Sequence, residues 1–75
     1  MLMKSLIVKR SVTIGGHRTS ITLEDMFWNA LREIADYRRV SMSSLLNEIN
    51  VGRSATNLSS HIRLFVLDHY RSRAA

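Results

Sequence analysis

The chain of 75 residues contains no cysteine. Disulfides and thiolate metal sites are excluded, and with them two common supports of small domains. Proline is also absent, and there is neither a repeat nor a low-complexity tract. The length is that of one small domain, which buries only a modest core by itself. Oligomerisation is then the expected source of extra burial. Long hydrophobic runs are missing: Leu6-Ile7-Val8 is too short for a signal-peptide core or a membrane span. A cytoplasmic address is the expectation. Acids are scarce, with six Asp and Glu against eleven Lys and Arg, for a formal net charge of +5. Lys4, Lys9, Arg10 and Arg18 all precede the first acid, Glu24. Two copies would carry about +10, a balance that suits a polyanionic partner.

What is present is a short alternating segment, Arg18-Thr19-Ser20-Ile21-Thr22-Leu23. Period-two alternation predicts one strand with a wet face of Arg18, Ser20 and Thr22 and a dry face of Thr19, Ile21 and Leu23. A strand needs a partner for its backbone donors and acceptors. Val12-Thr13-Ile14 also alternates, and Gly15-Gly16 between the two pieces could close a hairpin. The glycines are expected to form a flexible joint between a basic arm, residues 1–16, and the domain, residues 17–75. The strand would then pair with the same strand of a second copy.

Three helices are expected after it. Thr22-Leu23-Glu24-Asp25 is a start signal for the first, over 24–37, with acids placed to suit the helix dipole. Phe27, Ala30, Leu31 and Ile34 share one of its faces, widened by Trp28 and Ala35. Thr22 could cap this helix or face a ligand. Arg38-Arg39-Val40 is a turn, and Ser41 caps a second helix over 42–51 that buries Leu45, Leu46 and Ile49 and ends at Gly52. Arg53–Thr56 is a loop. Asn57 caps a third helix over 58–71, where Leu58, Ile62, Phe65, Val66 and His69 recur at helical intervals.

The side chains suited to chemistry point to binding. Arg offers a planar fork that matches the guanine edge or a phosphate, and Ser and Thr hydroxyls suit several base edges. A two-stranded ribbon bearing Arg18, Ser20 and Thr22 has the width of a DNA major groove. The backbone amides at Ser41-Met42-Ser43, opening a helix, suit phosphate. Lys9, Arg10, His17, Arg38 and Arg39 are the further phosphate candidates. Arg32 is read as an intrahelical partner of Asp36, and Arg63, Arg71 and Arg73 as surface charges. No metal or other cofactor is expected, since His61 and His69 are eight apart on one helix and no cysteine is available. The serines mark helix starts and form no nucleophile–base–orienter set, so no enzyme is expected. Trp28, Phe27 and Phe65 fall at core spacing.

The order of basic arm, short strand, amphipathic helix, tight turn and Ser-initiated helix resembles the ribbon-helix-helix (Arc/MetJ-type) DNA-binding proteins. The segment KRSVTIGGHRTSITLEDMFWNALREIA, with NLSSHIRLFVLDHYR further on, resembles a small bacterial ribbon-helix-helix family with an added C-terminal helix. The resemblance implies a mostly α fold with one short β-strand: an intertwined homodimer with an intermolecular two-stranded antiparallel ribbon, plus a third helix. It implies base reading by Arg18, Ser20 and Thr22 and phosphate anchoring at Ser41, Met42 and Ser43. Here the second helix is short and Thr19 is less apolar than the usual inward residue.

The expected function is sequence-specific binding of double-stranded DNA, as a transcriptional regulator in a bacterium. One alternative is a dimeric protein-interaction module that docks a partner on Leu64, Phe65, Leu67 and Tyr70 of the third helix. An antitoxin-like partner binder ranks below the regulator, because only a few residues follow that helix. RNA binding through the basic arm is a third option.

Overall fold

The computed structural model describes residues 6–50 and 57–74. Two strands open the fold, β1 (Ile7–Ile14) and β2 (His17–Glu24), followed by α1 (Asp25–Arg38), α2 (Met42–Asn50) and α3 (Leu58–Ala74). The helices sit where the apolar spacing put them, with offsets of three residues or fewer at the described ends. Gly52 and the Arg53–Thr56 loop lie outside the described residues.

The ribbon differs from expectation in its composition. β2 pairs antiparallel with β1 of the same chain, with Ile14 opposite His17 and Ile7 opposite Glu24. The single short strand expected in each chain is therefore corrected to two, paired within the chain. Gly15 and Gly16 are the reason. Their φ values of +59° and +82° are those of a two-residue hairpin turn, whose twist matches that of the strands it joins. The glycines are a turn, not a flexible joint. The Gly15 N–H also donates to Asn47 Oδ1 at 2.7 Å, which ties the turn to α2. Ile7–Ile14, read as part of a basic arm, is thereby a strand, and it alternates as β2 does.

One face of the hairpin is dry. Ile14, Ile21 and Leu23 are buried, and Val12 packs beside them. β1 lies against α2, and β2 against α1 and α3. Leu31, Ile34 and Ala35 of α1, Leu45, Leu46 and Ile49 of α2, and Leu58, Ile62 and Val66 of α3 complete the core. These are the i, i+3, i+4 positions of amphipathic helices. Phe27, Trp28 and Phe65 pack around the rim of this core, as their spacing implied.

The helix ends are set locally. Glu24 precedes α1 with no side-chain cap, so Thr22 does not cap it. The Asp25 N–H instead donates to the Leu6 carbonyl at 2.7 Å, which fastens the start of the hairpin to the start of α1. At the other end Arg39 adopts φ 59°, ψ 45°. Its N–H reaches the Asp36 carbonyl and that of Val40 the Ala35 carbonyl, the paired bonds of a Schellman stop. Ser41 then caps α2, its Oγ accepting from the Ser44 N–H at 3.0 Å.

Candidate nucleic-acid interface

The hairpin's second face is wet. Strict alternation places Lys9, Ser11 and Thr13 of β1 beside Arg18, Ser20 and Thr22 of β2, and all six are exposed. The register sets Lys9 against Thr22, Ser11 against Ser20 and Thr13 against Arg18. With Ile14 and His17 closing a two-residue loop, these are the non-hydrogen-bonded pairs of the ladder, whose side chains lie closest together. A guanidinium N–H of Arg18 donates to Ser11 Oγ at 2.9 Å across the strands. The sole acid in either strand, Glu24, lies at the far end and is engaged by Arg63 Nε at 2.8 Å. That bond holds the Glu24 carboxyl below the usual carboxylate range. The face thus combines two cations with four hydroxyls, a set that donates to phosphates and to base edges.

The structure brings Arg18, Ser20 and Thr22 together with Lys9, and sets His17 exposed beside the turn. It places Arg10 elsewhere. Arg10 projects from the opposite face of the hairpin, bonded to Asp25 at 2.7 Å and 4.7 Å above the Trp28 ring. Arg38 is also engaged within the fold, with Glu48 at 2.7 Å and the Phe65 ring at 5.2 Å. Arg39 is exposed. Ser41 and Ser43 are exposed at the start of α2, while Met42 is half-buried and packs against the core. The Ser41 cap takes the Ser44 amide, and the amides of Met42 and Ser43 are not part of it.

Ser11 and Thr13 were missed as members of this face. The signal was available: Lys9 to Ile14 alternates polar and apolar except at Arg10. Arg63 and Arg73, expected as surface charges, make tertiary contacts. Arg63 bridges α3 to Glu24 and lies 6.0 Å from the Phe27 ring, and Arg73 lies 4.3 Å from the Tyr37 ring. The Arg32–Asp36 pair is not formed, and His69 packs edge-on between Tyr37 and Tyr70.

Among the described residues no cluster of three or more His, Cys, Asp or Glu could hold a metal, and no helix is long and apolar enough to cross a membrane. No curated protein and no solved structure gives a significant match. The family model described as "Ribbon-helix-helix domain" matches residues 7–70. That span runs from the first residue of β1 through most of α3, so the wet ribbon and the helices behind it fall within one recognised unit. The chain belongs to the ribbon-helix-helix domain family.

Proposed function

We propose that this protein binds double-stranded DNA in a sequence-dependent manner, with the wet face of the β1–β2 ribbon in the major groove, and regulates transcription. Ribbon-helix-helix domains are typically DNA-binding transcription regulators and are not enzymes, which supports the reading. The observation that carries it is the shared exposure of Arg18, Ser20 and Thr22 on one side of a two-stranded ribbon. Two strands about 4.8 Å apart match a groove about 12 Å wide.

Arg18, Ser20 and Thr22 are the proposed base readers. Lys9, His17, Arg39, Ser41 and Ser43 are the proposed phosphate contacts, and they supply the salt-dependent affinity common to all sequences. Arg10, Arg38 and Met42 leave that set, because ion pairs, ring contacts and core packing already engage them. A regulator of this kind works beside the chromosome, in the cytoplasm of a bacterium.

The family usually binds DNA as dimers, and the proposal includes a homodimer. α3 supplies the surface: Leu64 and Leu67 are 62% and 52% exposed, with Asp68 and Arg71 beside them. That strip carries both charge signs, and a two-fold interface sets the same patch of one copy against that of the other. The protein-interaction alternative would use the same strip.

Anisotropy titration with generic duplex at two salt concentrations, followed by selection of bound duplexes from a random pool, tests the reading. Binding should weaken steeply with salt and the pool should converge on a motif. Arg18→Ala should lower discrimination at one base pair by roughly fivefold or more. Absence of duplex binding at low salt would overturn the proposal.

A further inference from the structure

The core uses only one side of α3, along which Leu58, Ile62 and Val66 are buried. At about 100° per residue, Ser60, Leu64, Leu67 and Arg71 fall along the opposite side, and all four are exposed. Their spacing of four, three and four residues is that of the seam between two paired helices. Resting on the homodimer proposed above, and giving it an orientation and a register, we infer that the α3 helices of two copies pack antiparallel, with Leu64 of each set against Leu67 of the other.

The stripe selects a second copy as its occupant because its spacing reads the same from either end. Turned end for end and laid against itself, it makes four layers. The two central layers are Leu64 on Leu67, and the outer two are Arg71 against Ser60 of the second copy. The Ser60 hydroxyl can accept from that guanidinium. On one flank Asp68 comes beside His61 of the second copy, whose ring has an N–H to donate in either protonation state. The joint thus has an apolar centre and polar ends, the usual anatomy of an interface. A partner of unrelated sequence would give no reason for this match of the stripe to its own reversal.

Charge decides the orientation. A parallel pair on the same seam would set Arg71 against Arg71 of the second copy, two like charges facing in one layer. Such a repulsive element is how helix pairs reject a wrong orientation. Antiparallel packing separates the two arginines to opposite ends of the seam and also opposes the two helix dipoles. The seam includes no residue of β1 or β2, so the wet face of the hairpin plays no part in it.

The chain has no cysteine, so introduced thiols report the joint without competition. Leu64→Cys and Leu67→Cys are made as separate full-length chains, mixed in equal amounts and oxidised in a glutathione buffer. A disulfide needs Cα atoms within about 7 Å of each other. The antiparallel register should join Leu64→Cys to Leu67→Cys in clear excess over random joining. An excess of same-variant disulfides, or random joining, overturns the inference.

Sedimentation of the parent, Leu64→Glu and Leu67→Glu supplies the second readout. Both leucines are exposed, so each variant should melt with the parent. Self-association should weaken by about tenfold or more in each variant, because every dimer loses two buried leucines. Undiminished self-association in both variants overturns the inference and leaves a homodimer formed through another surface. A parent that stays monomeric at every concentration overturns the homodimer itself, and the inference with it. Neither readout involves DNA, so the DNA-binding reading stands or falls separately.

Discussion

The guanidinium of Arg10 lies 4.7 Å above the ring of Trp28 and, through Nη2, bonds Asp25 Oδ1 at 2.7 Å. Arg10 belongs to β1, while Trp28 and Asp25 belong to α1, so this contact clasps the hairpin to the first helix. Its Nη1 is buried and finds no acceptor among the described residues. An arginine so placed serves the fold. Arg10→Ala should lower stability by about 1–2 kcal/mol, through lost ring contact and lost stem packing. Asp25→Asn should cost less, since the pair is partly solvated. Urea midpoints decide this. Titration of folded Arg10→Ala with duplex should give an unchanged salt slope. A slope shallower by about one unit would return Arg10 to the phosphate contacts.

The turn gives the second prediction. Gly15 and Gly16 have positive φ, and a methyl group at either Cα would meet nothing within 4 Å. Any cost of substitution is therefore a backbone cost. Gly15→Ala and Gly16→Ala should each destabilise by about 1–2 kcal/mol. Asparagine, which enters this region more readily, should cost less at either position. Equal midpoints for the alanine variants and the parent would mean that the hairpin is not closed this way.

Arg39 is the described non-glycine residue with positive φ, at the position after a helix where glycine is usual. Its side chain is exposed and is a proposed phosphate contact. Stability and binding should therefore part company. Arg39→Gly should gain about 0.5–1 kcal/mol by relieving the strain. It should also bind all duplexes more weakly, with a salt slope smaller by about one. Thermal melts and titrations at several salt concentrations read the two effects separately. Loss of stability in the glycine variant contradicts the strain argument.

Glu24 gives the pH dependence. The bond from Arg63 lowers its folded pKa, while the unfolded chain has the ordinary value of about 4.3. The unfolded state then binds the proton more tightly. The contribution is complete above the unfolded pKa and is lost as pH falls through the folded one. The window lies below about pH 4. Arg63→Met keeps an unbranched stem beside Phe27 and removes the charge-assisted bond. Its urea midpoint should fall less steeply across that window than the parent's. Identical acid limbs would show that another carboxylate is responsible.

Much of the fold is legible in single side chains. Leu31, Ile34, Leu45, Leu46, Ile62 and Val66 recur at helical spacing, and all are buried. Ser41 reads as a cap because a hydroxyl before an apolar run has an orphan amide within reach, and the Ser44 amide takes it. The wet face of β2 reads equally well, since strand geometry sends alternate residues to opposite sides. Arg10 and Arg38 read less well. Both are cations beside the proposed site, and only the packed structure brings Asp25 and Trp28 to one and Glu48 and Phe65 to the other. Charge in a sequence marks neither its partner nor its face.

Local patterning by itself determined the helices, the Ser41 cap and the two faces of β2, because each depends on neighbours within about one helical turn or two strand positions. Tertiary structure decided the partner of β2. Pairing is a long-range choice, and Ile7–Ile14 takes one edge of β2. The turn at Gly15-Gly16 and its bond to Asn47 on α2 hold β1 beside β2. Loop closure over two residues costs far less entropy than bringing in another chain.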